Sequence, residues 1–268
     1  MPDNDDYPLF SDYYRIMPLP GRDGIFPVSG AGGRTPDTPA AAWTAQVFPG
    51  GERMGTRKDS VLVKDQIYLI PREGVTHVVS ENYSYKSDTY YAILSQEMKG
   101  VTVAPSSQSV LDANVVPICL EKARLAGIEV CEWGISHSYV PFPALLYGIN
   151  YFASSSDYHP VAGPDETKAA IKHVTNCGKY PFCYQGLGEG DYIHRVHSIF
   201  GRVSSGDSGI SRLAGEVYEL FRIPLQTLVV RERDGDYAFS SLAPCRYSAL
   251  SRDEKVLLQA YIERQEFL

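Results

Sequence analysis

Side chains suited to binding a small ligand are concentrated between residues 82 and 90. Hydroxyl, amide, amine and carboxylate groups alternate there with tyrosine rings, after a β-branched run at residues 76–80 and before an amphipathic pattern. This order is typical of a strand, a loop and a helix in an α/β sheet, and we call residues 82–90 the elbow. Open α/β sheets bind ligands at that edge, where a helix N-terminus favours an anionic group. The candidate substrate- or partner-binding residues of the elbow are Asn82, Tyr83, Tyr85, Lys86, Ser87, Asp88 and Tyr90.

Arg202 completes the predicted site. It lies near the end of a predicted strand at residues 197–203, and its guanidinium could hold a carboxylate if that strand neighbours the one before the elbow. The alternative is that Tyr83, Tyr85 and Tyr90 only pack on the N-terminal segment or on a partner. The residue pattern assigns no catalytic residue, so the catalytic residues stay unknown.

The Gly-Asp-Ser-Gly tetrapeptide at residues 206–209 matches the surroundings of the nucleophile in chymotrypsin-like proteases. A regular helical pattern follows it, and no histidine lies in the Ala-His-Cys setting that such a protease needs. We therefore interpret Asp207 or Ser208 as the N-cap of a helix.

Zinc-binding residue types are present but poorly spaced. Structural zinc sites usually use cysteine pairs about two to four residues apart, and Cys177 and Cys183 are farther apart than that. We predict no metal site and reduced thiols. The residues considered are His173, Cys177, Cys183, His194 and His197.

The chain shows no recognisable nucleotide site. The glycine-rich residues 186–190 lack both the preceding strand and the following Lys-Ser or Lys-Thr of a phosphate loop. Glu189 and Asp191 would also repel a phosphate group. We therefore expect no cofactor in this chain.

Composition narrows the class of protein. A chain of 268 residues with 44% hydrophobic residues can bury a core, and a net charge of -7 offers no cationic surface for nucleic acid or anionic lipid. The N-terminus lacks the basic start and the apolar run of a secretory signal. We expect a cytoplasmic protein without nucleic-acid or membrane partners.

The elements that would position the elbow can be predicted in outline. Residues 1–58 are rich in Pro and Gly and predict an irregular N-terminal arm, and residues 59–268 predict one α/β domain. Its opening βαβ unit would contain a helix on which Tyr90, Leu94 and Met98 share one face. The loop-rich insertion of this prediction, residues 134–192, is expected to hold long loops with short helices.

Clearer signals follow in the C-terminal part. Residues 210–221 show helical apolar spacing, Asp234-Gly235 predicts a hairpin, and Ser251 with Glu254 predicts a capping box. A helix is predicted over residues 115–123 and a third strand over 128–133. The predicted fold class is α/β, or α+β. It combines a Rossmann-like βαβ core with a C-terminal helix-plus-hairpin extension and the long irregular N-terminal arm.

Two blocks of this sequence together resemble the RimK-like ATP-grasp N-terminal domain family. The first runs from Val78 through the Tyr-x-Tyr-x-Ser elbow to Tyr91, and continues at residues 103–106. The second comprises Phe200-Gly201-Arg202, Arg212-Leu213-Ala214, Leu220-Phe221, Pro224-Leu225 and the Asp-Gly hairpin leading to residues 240–244. The resemblance spans about residues 75–250, and residues 134–192 depart from it.

The resemblance implies a role beside a RimK-like ATP-grasp module, which activates a carboxylate with ATP and joins it to an amine. That module would be expected after Leu268 or in a separate polypeptide, so ATP and magnesium are expected only there. The leading hypothesis is an accessory, substrate-recognition domain or subunit for an amino-acid or peptide ligase, in specialised-metabolite biosynthesis. A small amino-acid-like substrate and the ligase are the expected partners, and a second copy of the chain is left open as a third.

Two other hypotheses remain. One is a free-standing enzyme acting on a small amino-acid-like substrate, with Tyr83, Lys86, Asp88 and Arg202 lining its pocket. The other is a purely structural subunit whose elbow is buried under the arm. A ligand pocket with a perturbed titratable group would favour an enzyme, whereas a flat apolar patch would favour an interaction module.

Overall fold

The computed structural model describes residues 62–149, 158–204 and 206–263. The predicted N-terminal arm, residues 1–58, lies outside the described residues. The strands are β1 Tyr68–Arg72, β2 Val75–Val79, β3 Val103–Ala104, β4 Trp133–Ser136, β5 Ala144–Gly148, β6 His159–Val161, β7 Phe182–Gly186, β8 Tyr192–Ile199, β9 Leu225–Arg233 and β10 Asp236–Ala243. The helices are α1 Asp88–Met98, α2 Ser107–Asn114, α3 Val116–Leu125, α4 Pro164–Val174, α5 Ser208–Phe221 and α6 Arg252–Ile262, with a short 3-10 helix at Tyr247–Ala249.

The described strands form three sheets, and together with the six helices they make a mixed α/β fold, as predicted. The first sheet has the order β1-β2-β3, with β1 antiparallel and β3 parallel to β2. The second has the antiparallel order β4-β7-β5-β6, and the third the antiparallel order β10-β9-β8. No described helix combines the length and the apolar character needed to cross a bilayer.

The predicted βαβ unit is confirmed as β2, α1 and the parallel strand β3. Ser87 caps α1, because its side chain accepts a hydrogen bond from the backbone N–H of Tyr90. The predicted apolar face is partly wrong, since Met98 is 87% exposed. The buried stripe passes through Tyr90 and Ile93, and Met98 lies about 140° around the helix from Ile93.

Residues 134–192 are the main correction to the predicted architecture. They do not form long loops with short helices, because the 11-residue helix α4 and the whole second sheet except Trp133 lie within this range. All five residues of β5 are buried, so the strand lacks the alternation of apolar and polar residues that sequence patterns detect. Tyr147 and Gly148, whose residue types suggested a loop, are here parts of the buried strand β5.

The predicted third strand at residues 128–133 is also wrong. Its only strand-like pairing before β4 is an isolated bridge from Val130 to Phe239. Helix α2, which the sequence did not predict, precedes α3 and begins at the N-cap Ser106. The predicted strand at residues 197–203 lies earlier in the chain, as β8, and ends at a turn in which Phe200 and Gly201 have positive φ.

The other C-terminal predictions are confirmed. Asp207 caps α5, and its side chain accepts hydrogen bonds from the N–H groups of Gly209 and Ile210. Asp234 and Gly235 both adopt positive φ, as the tight turn between β9 and β10 requires. Ser251 and Glu254 form a reciprocal capping box at the start of α6.

Two buried contacts fix the elements around the site. An apolar cluster containing Ile70, Val79, Ile199, Leu225 and Leu258 joins β1 and β2 to β8, β9 and α6. The second and third sheets meet at a buried polar contact. Tyr147 Oη lies 2.8 Å from Ser240 Oγ, Ser240 Oγ donates a hydrogen bond to Gln185 Oε1 at 2.6 Å, and Gln185 Nε2 donates one to the Ser240 carbonyl at 2.9 Å.

Candidate ligand-binding cavity

Tyr83, at the centre of the predicted elbow site, is a buried structural residue. Its hydroxyl donates a hydrogen bond to the Val78 carbonyl at 2.9 Å and accepts one from the Ser80 N–H at 3.0 Å. Burial raises the pKa of this hydroxyl far above its ordinary value. Its side chain therefore stabilises the turn that follows β2.

The structure brings five of the other predicted residues together at the start of α1. The ring of Tyr85 packs edge-on against buried Tyr90 at 5.4 Å, and Lys86 Nζ lies 5.3 Å from the centroid of the Tyr85 ring. Ser87 is the N-cap of α1, and Asp88 is its first residue. Lys86 has positive φ, so the backbone turns sharply at this point.

Asn82 borders this group, because Ser87 Oγ donates a hydrogen bond to the Asn82 carbonyl at 3.4 Å. Asn82 Oδ1 accepts hydrogen bonds from the backbone N–H and the hydroxyl of Ser84, and both residues line a large cavity. Arg202 is exposed and pairs with Ile199 across the turn after β8. Of the eight predicted residues, Asn82 is the one that lines this cavity.

The cavity has a volume of about 1200 Å³ and is formed by four separate parts of the described chain. The segment before β1 forms one wall, Glu81 and the elbow form a second, and β8 and β9 form a third. The fourth follows β10 and includes the 3-10 helix and one face of α6. Its lining residues are Leu62, Lys64, Asp65, Glu81, Asn82, Ser84, Arg195, His197, Thr227, Pro244, Cys245, Arg246, Tyr247, Ser248, Ala249, Lys255 and Gln259.

Cationic side chains exceed anionic ones along this lining. Lys64, Arg195, Arg246 and Lys255 are cationic, whereas Asp65 and Glu81 carry the carboxylates. The chain as a whole has a net charge of -7, so the local positive excess contrasts with its surface. A concave region lined by one sign of charge concentrates ligands of the opposite sign. The cavity therefore suits an anionic ligand.

Glu81 holds two walls of the cavity together. Its Oε2 accepts a hydrogen bond from the Asp65 N–H at 2.8 Å, and its Oε1 accepts one from the Tyr247 N–H at 2.5 Å. The Tyr247 hydroxyl in turn donates to the Gln66 carbonyl at 3.0 Å. Because Glu81 is buried and each of its oxygens binds a backbone N–H, it positions the walls and is not placed to hold a ligand cation.

His197 forms a second ordered pair at the cavity, with Glu254. The distance from His197 Nδ1 to Glu254 Oε2 is 3.2 Å, and Ser204 Oγ donates to Glu254 Oε1 at 3.0 Å. Burial by itself would raise the pKa of Glu254, but hydrogen bonds from Ser251, His197 and Ser204 outweigh it and hold that pKa below its ordinary value. Glu254 is therefore ionised at neutral pH beside the imidazole.

Sequence patterns did not single out Arg195 and His197 as a pair. They are two residues apart on β8, so they lie on the same face of the strand, and His197 is the register partner of Thr227 on β9. The predicted strand began at His197 and excluded Arg195. A strand prediction that began before Arg195 would have placed both on one face.

Among the described residues, no group of three or more His, Cys, Asp or Glu side chains is placed to hold a metal ion. The residues considered for zinc have other surroundings. Cys183 is buried and Cys177 is exposed, and both are free thiols. His194 Nε2 lies 2.5 Å from Glu232 Oε2, on the strand next to its own.

No protein-family model matches the chain, and no curated protein matches its sequence. Solved structures do match it. A RimK domain ATP-grasp protein from Sphaerobacter thermophilus has a TM-score of 0.52 at 12% identity, over 72% of this chain and 82% of that one. D-alanine–D-alanine ligase from Helicobacter pylori has a TM-score of 0.50 at 12% identity, over 64% and 65%. ATP-grasp ligase PsnB has a TM-score of 0.46 at 16% identity, over 66% and 69%. The first two similarities establish that this chain has an ATP-grasp-like fold.

Proposed function

We propose that this chain recognises the substrate of an ATP-grasp amino-acid or peptide ligase, as a domain or a subunit of that system in specialised-metabolite biosynthesis. The cavity binds a small amino-acid-like molecule through its carboxylate. The observation that carries the proposal is the excess of cationic side chains in a cavity of about 1200 Å³, within a chain of net charge -7. The ATP-grasp-like fold supports the connection with ligation.

Two guanidinium groups are the best candidates to hold the carboxylate. Arg195 and Arg246 both line the cavity, and a guanidinium can donate two parallel hydrogen bonds to one carboxylate. The Arg195 guanidinium carbon lies 5.7 Å from the centroid of the Tyr158 ring, a contact that restricts its position. Lys255 and Lys64 add positive charge at the same cavity.

The fold raises the question of whether the described residues fit ATP and magnesium. Magnesium prefers carboxylate oxygens together with phosphate oxygens, and the carboxylates at this cavity are Asp65 and Glu81. Both oxygens of Glu81 bind backbone N–H groups, and no described group of three acidic or imidazole side chains converges elsewhere. These residues do not fit a magnesium–nucleotide pair. In the proposal, ATP and magnesium bind to the partner ligase or to another segment.

Calorimetry with L-glutamate and N-acetyl-L-glutamate tests the proposal, because both probes carry carboxylates. Arg246→Gln combined with Lys255→Gln is expected to weaken binding of both probes by about 100-fold, from the loss of two charge-assisted contacts. Arg212→Gln with Arg252→Gln is the matched control, since it removes two exposed charges outside the cavity lining. Failure of both probes to bind the unaltered chain would retire the cavity as the substrate site.

A free-standing enzyme acting on a small amino-acid-like substrate is the second candidate. The observation in its favour is that His197, which lines the cavity, is paired with the buried carboxylate of Glu254 behind it. ATP hydrolysis distinguishes the two candidates. The recognition role predicts that the chain alone has no turnover with ATP, magnesium and amino acids. Turnover lost in the Arg246→Gln, Lys255→Gln variant would favour the enzyme.

A further inference from the structure

His197 presents one ring nitrogen to a buried carboxylate while its side chain lines the cavity. The Nδ1–Oε2 distance to Glu254 is 3.2 Å, and the imidazole side chain is 25% exposed while that of Glu254 is 8% exposed. Nε2 makes no hydrogen bond to a described residue. The imidazole therefore has one nitrogen held by the protein and a second available to a ligand.

Glu254 is fixed independently of His197. Its Oε2 accepts a hydrogen bond from the Ser251 N–H at 2.7 Å as part of the capping box, and its Oε1 accepts one from Ser204. An ionised carboxylate so held accepts a hydrogen bond from Nδ1–H, and in the tautomer with its proton on Nδ1 an imidazole has a lone pair on Nε2. The same arrangement, in which a carboxylate fixes the tautomer and orientation of an imidazole, makes histidine a proton acceptor in hydrolases.

The charges around the cavity favour proton loss from a bound amine. The charged groups that line it with His197 are Lys64, Asp65, Glu81, Arg195, Arg246 and Lys255. Their positive excess disfavours an ammonium and an imidazolium alike. The ionised carboxylate of Glu254, in contact with His197 Nδ1, offsets this cost for the imidazolium that forms when the proton moves to His197.

We infer that His197 accepts a proton from the α-ammonium group of an amino-acid-like ligand in this cavity, with Glu254 as the positioning residue. The inference rests on the proposed function and deepens it. One N–H bond of the ammonium breaks, its electron pair stays on the amine nitrogen, and the proton bonds to His197 Nε2. The products are a neutral, nucleophilic amine and an imidazolium, and no other reactant takes part. The substrate class is thereby an amine-bearing carboxylate that serves as the acceptor in ligation.

Nitrogen NMR of the full chain labelled with ¹⁵N-histidine tests the inference. His197→Gln assigns the His197 signals, and His137→Gln, at an exposed histidine outside the cavity lining, is the matched control. Before ligand is added, His197 is expected to carry its proton on Nδ1. Addition of L-glutamate should shift the ¹⁵N resonance of His197 Nε2 toward the chemical shift of an imidazolium. N-acetyl-L-glutamate has no ammonium group and should not cause this shift.

Calorimetry separates this step from carboxylate binding. His197→Gln is expected to weaken L-glutamate binding on the order of tenfold and to leave N-acetyl-L-glutamate binding unchanged. Ser204 lies outside the cavity lining, and Ser204→Ala removes one hydrogen bond to Glu254. This variant should stay folded and should bind L-glutamate more weakly than the unaltered chain does. Glu254→Gln should weaken L-glutamate binding more strongly.

The possible outcomes distinguish the proton-transfer role of His197 from the proposed function on which it rests. If L-glutamate binds but the His197 nitrogen signals do not change, the proton-transfer role is wrong and the carboxylate site stands. If neither probe binds, the proposed function fails and the inference fails with it. Equal weakening of both probes by His197→Gln would show a structural role for His197 and would also overturn the inference.

Discussion

The carboxylate of Glu81 accepts a hydrogen bond from the backbone N–H of Tyr247 at 2.5 Å, although the two residues are 166 positions apart in the sequence. This contact joins the residues that follow β2 to the 3-10 helix after β10. The second oxygen of Glu81 binds the Asp65 N–H. One buried side chain therefore connects three walls of the cavity: the segment before β1, the residues after β2 and the segment that follows β10.

Glu81→Gln is expected to lower the free energy of unfolding by about 1–3 kcal/mol. Both carboxylate oxygens of Glu81 accept hydrogen bonds from backbone N–H groups, and in glutamine an NH₂ group, which cannot accept, would take the place of one of them. Urea unfolding measures the change. Glu189→Gln, at an exposed glutamate, is the control and should leave the urea midpoint unchanged. Equal midpoints for both variants would contradict the role assigned to Glu81.

Replacing Ser198 and Gln226 is expected to stabilise the fold. They are register partners on β8 and β9, both are buried, and neither the Ser198 hydroxyl nor the Gln226 amide has a hydrogen-bond partner among the described residues. A buried polar group without a partner costs free energy. Ser198→Ala combined with Gln226→Met should therefore raise the free energy of unfolding by about 1 kcal/mol. A lower urea midpoint would contradict this and indicate that the pair is satisfied in solution.

Acid stability should depend on Asp191. The Arg233 guanidinium donates hydrogen bonds to both carboxylate oxygens, at 2.6 and 2.7 Å, and these hold the pKa of Asp191 below its ordinary value of 3.8. A carboxyl with a lowered folded-state pKa stabilises the fold above its unfolded-state pKa and loses that contribution as the pH falls through the folded-state value. Asp191→Asn should therefore lower the melting temperature at pH 7 and converge with the unaltered chain well below pH 3.8. A difference in melting temperature between Asp191→Asn and the unaltered chain that stays constant down to the lowest pH would contradict this assignment.

The elbow remains a predicted site and can be tested separately from the cavity. Replacing Tyr85 and Lys86 with alanine should leave the fold intact, because Tyr85 is only partly buried and Lys86 is exposed. Calorimetry is then expected to show weaker binding of substrate or partner. Unchanged binding would remove Tyr85 and Lys86 from the site and leave the cavity as the recognition surface.

The sequence by itself predicted the elements whose stability is local. The capping box at Ser251 and Glu254, the cap at Asp207 and the turn at Asp234-Gly235 each depend on residues a few positions apart. The β2-α1-β3 unit was predictable for the same reason, since the cap at Ser87 is local, although the buried face of α1 passes through Ile93 and not Met98.

Tertiary structure decided the second sheet and the cavity. Strand β5 is buried along its whole length, so its pattern did not distinguish it from a loop rich in aromatic residues. The cavity joins Lys64, Glu81, His197, Arg246 and Lys255, which long stretches of chain separate. These residues come together because β8, β9 and α6 pack against β1 and β2. A pattern within a short stretch of sequence cannot predict such long-range packing.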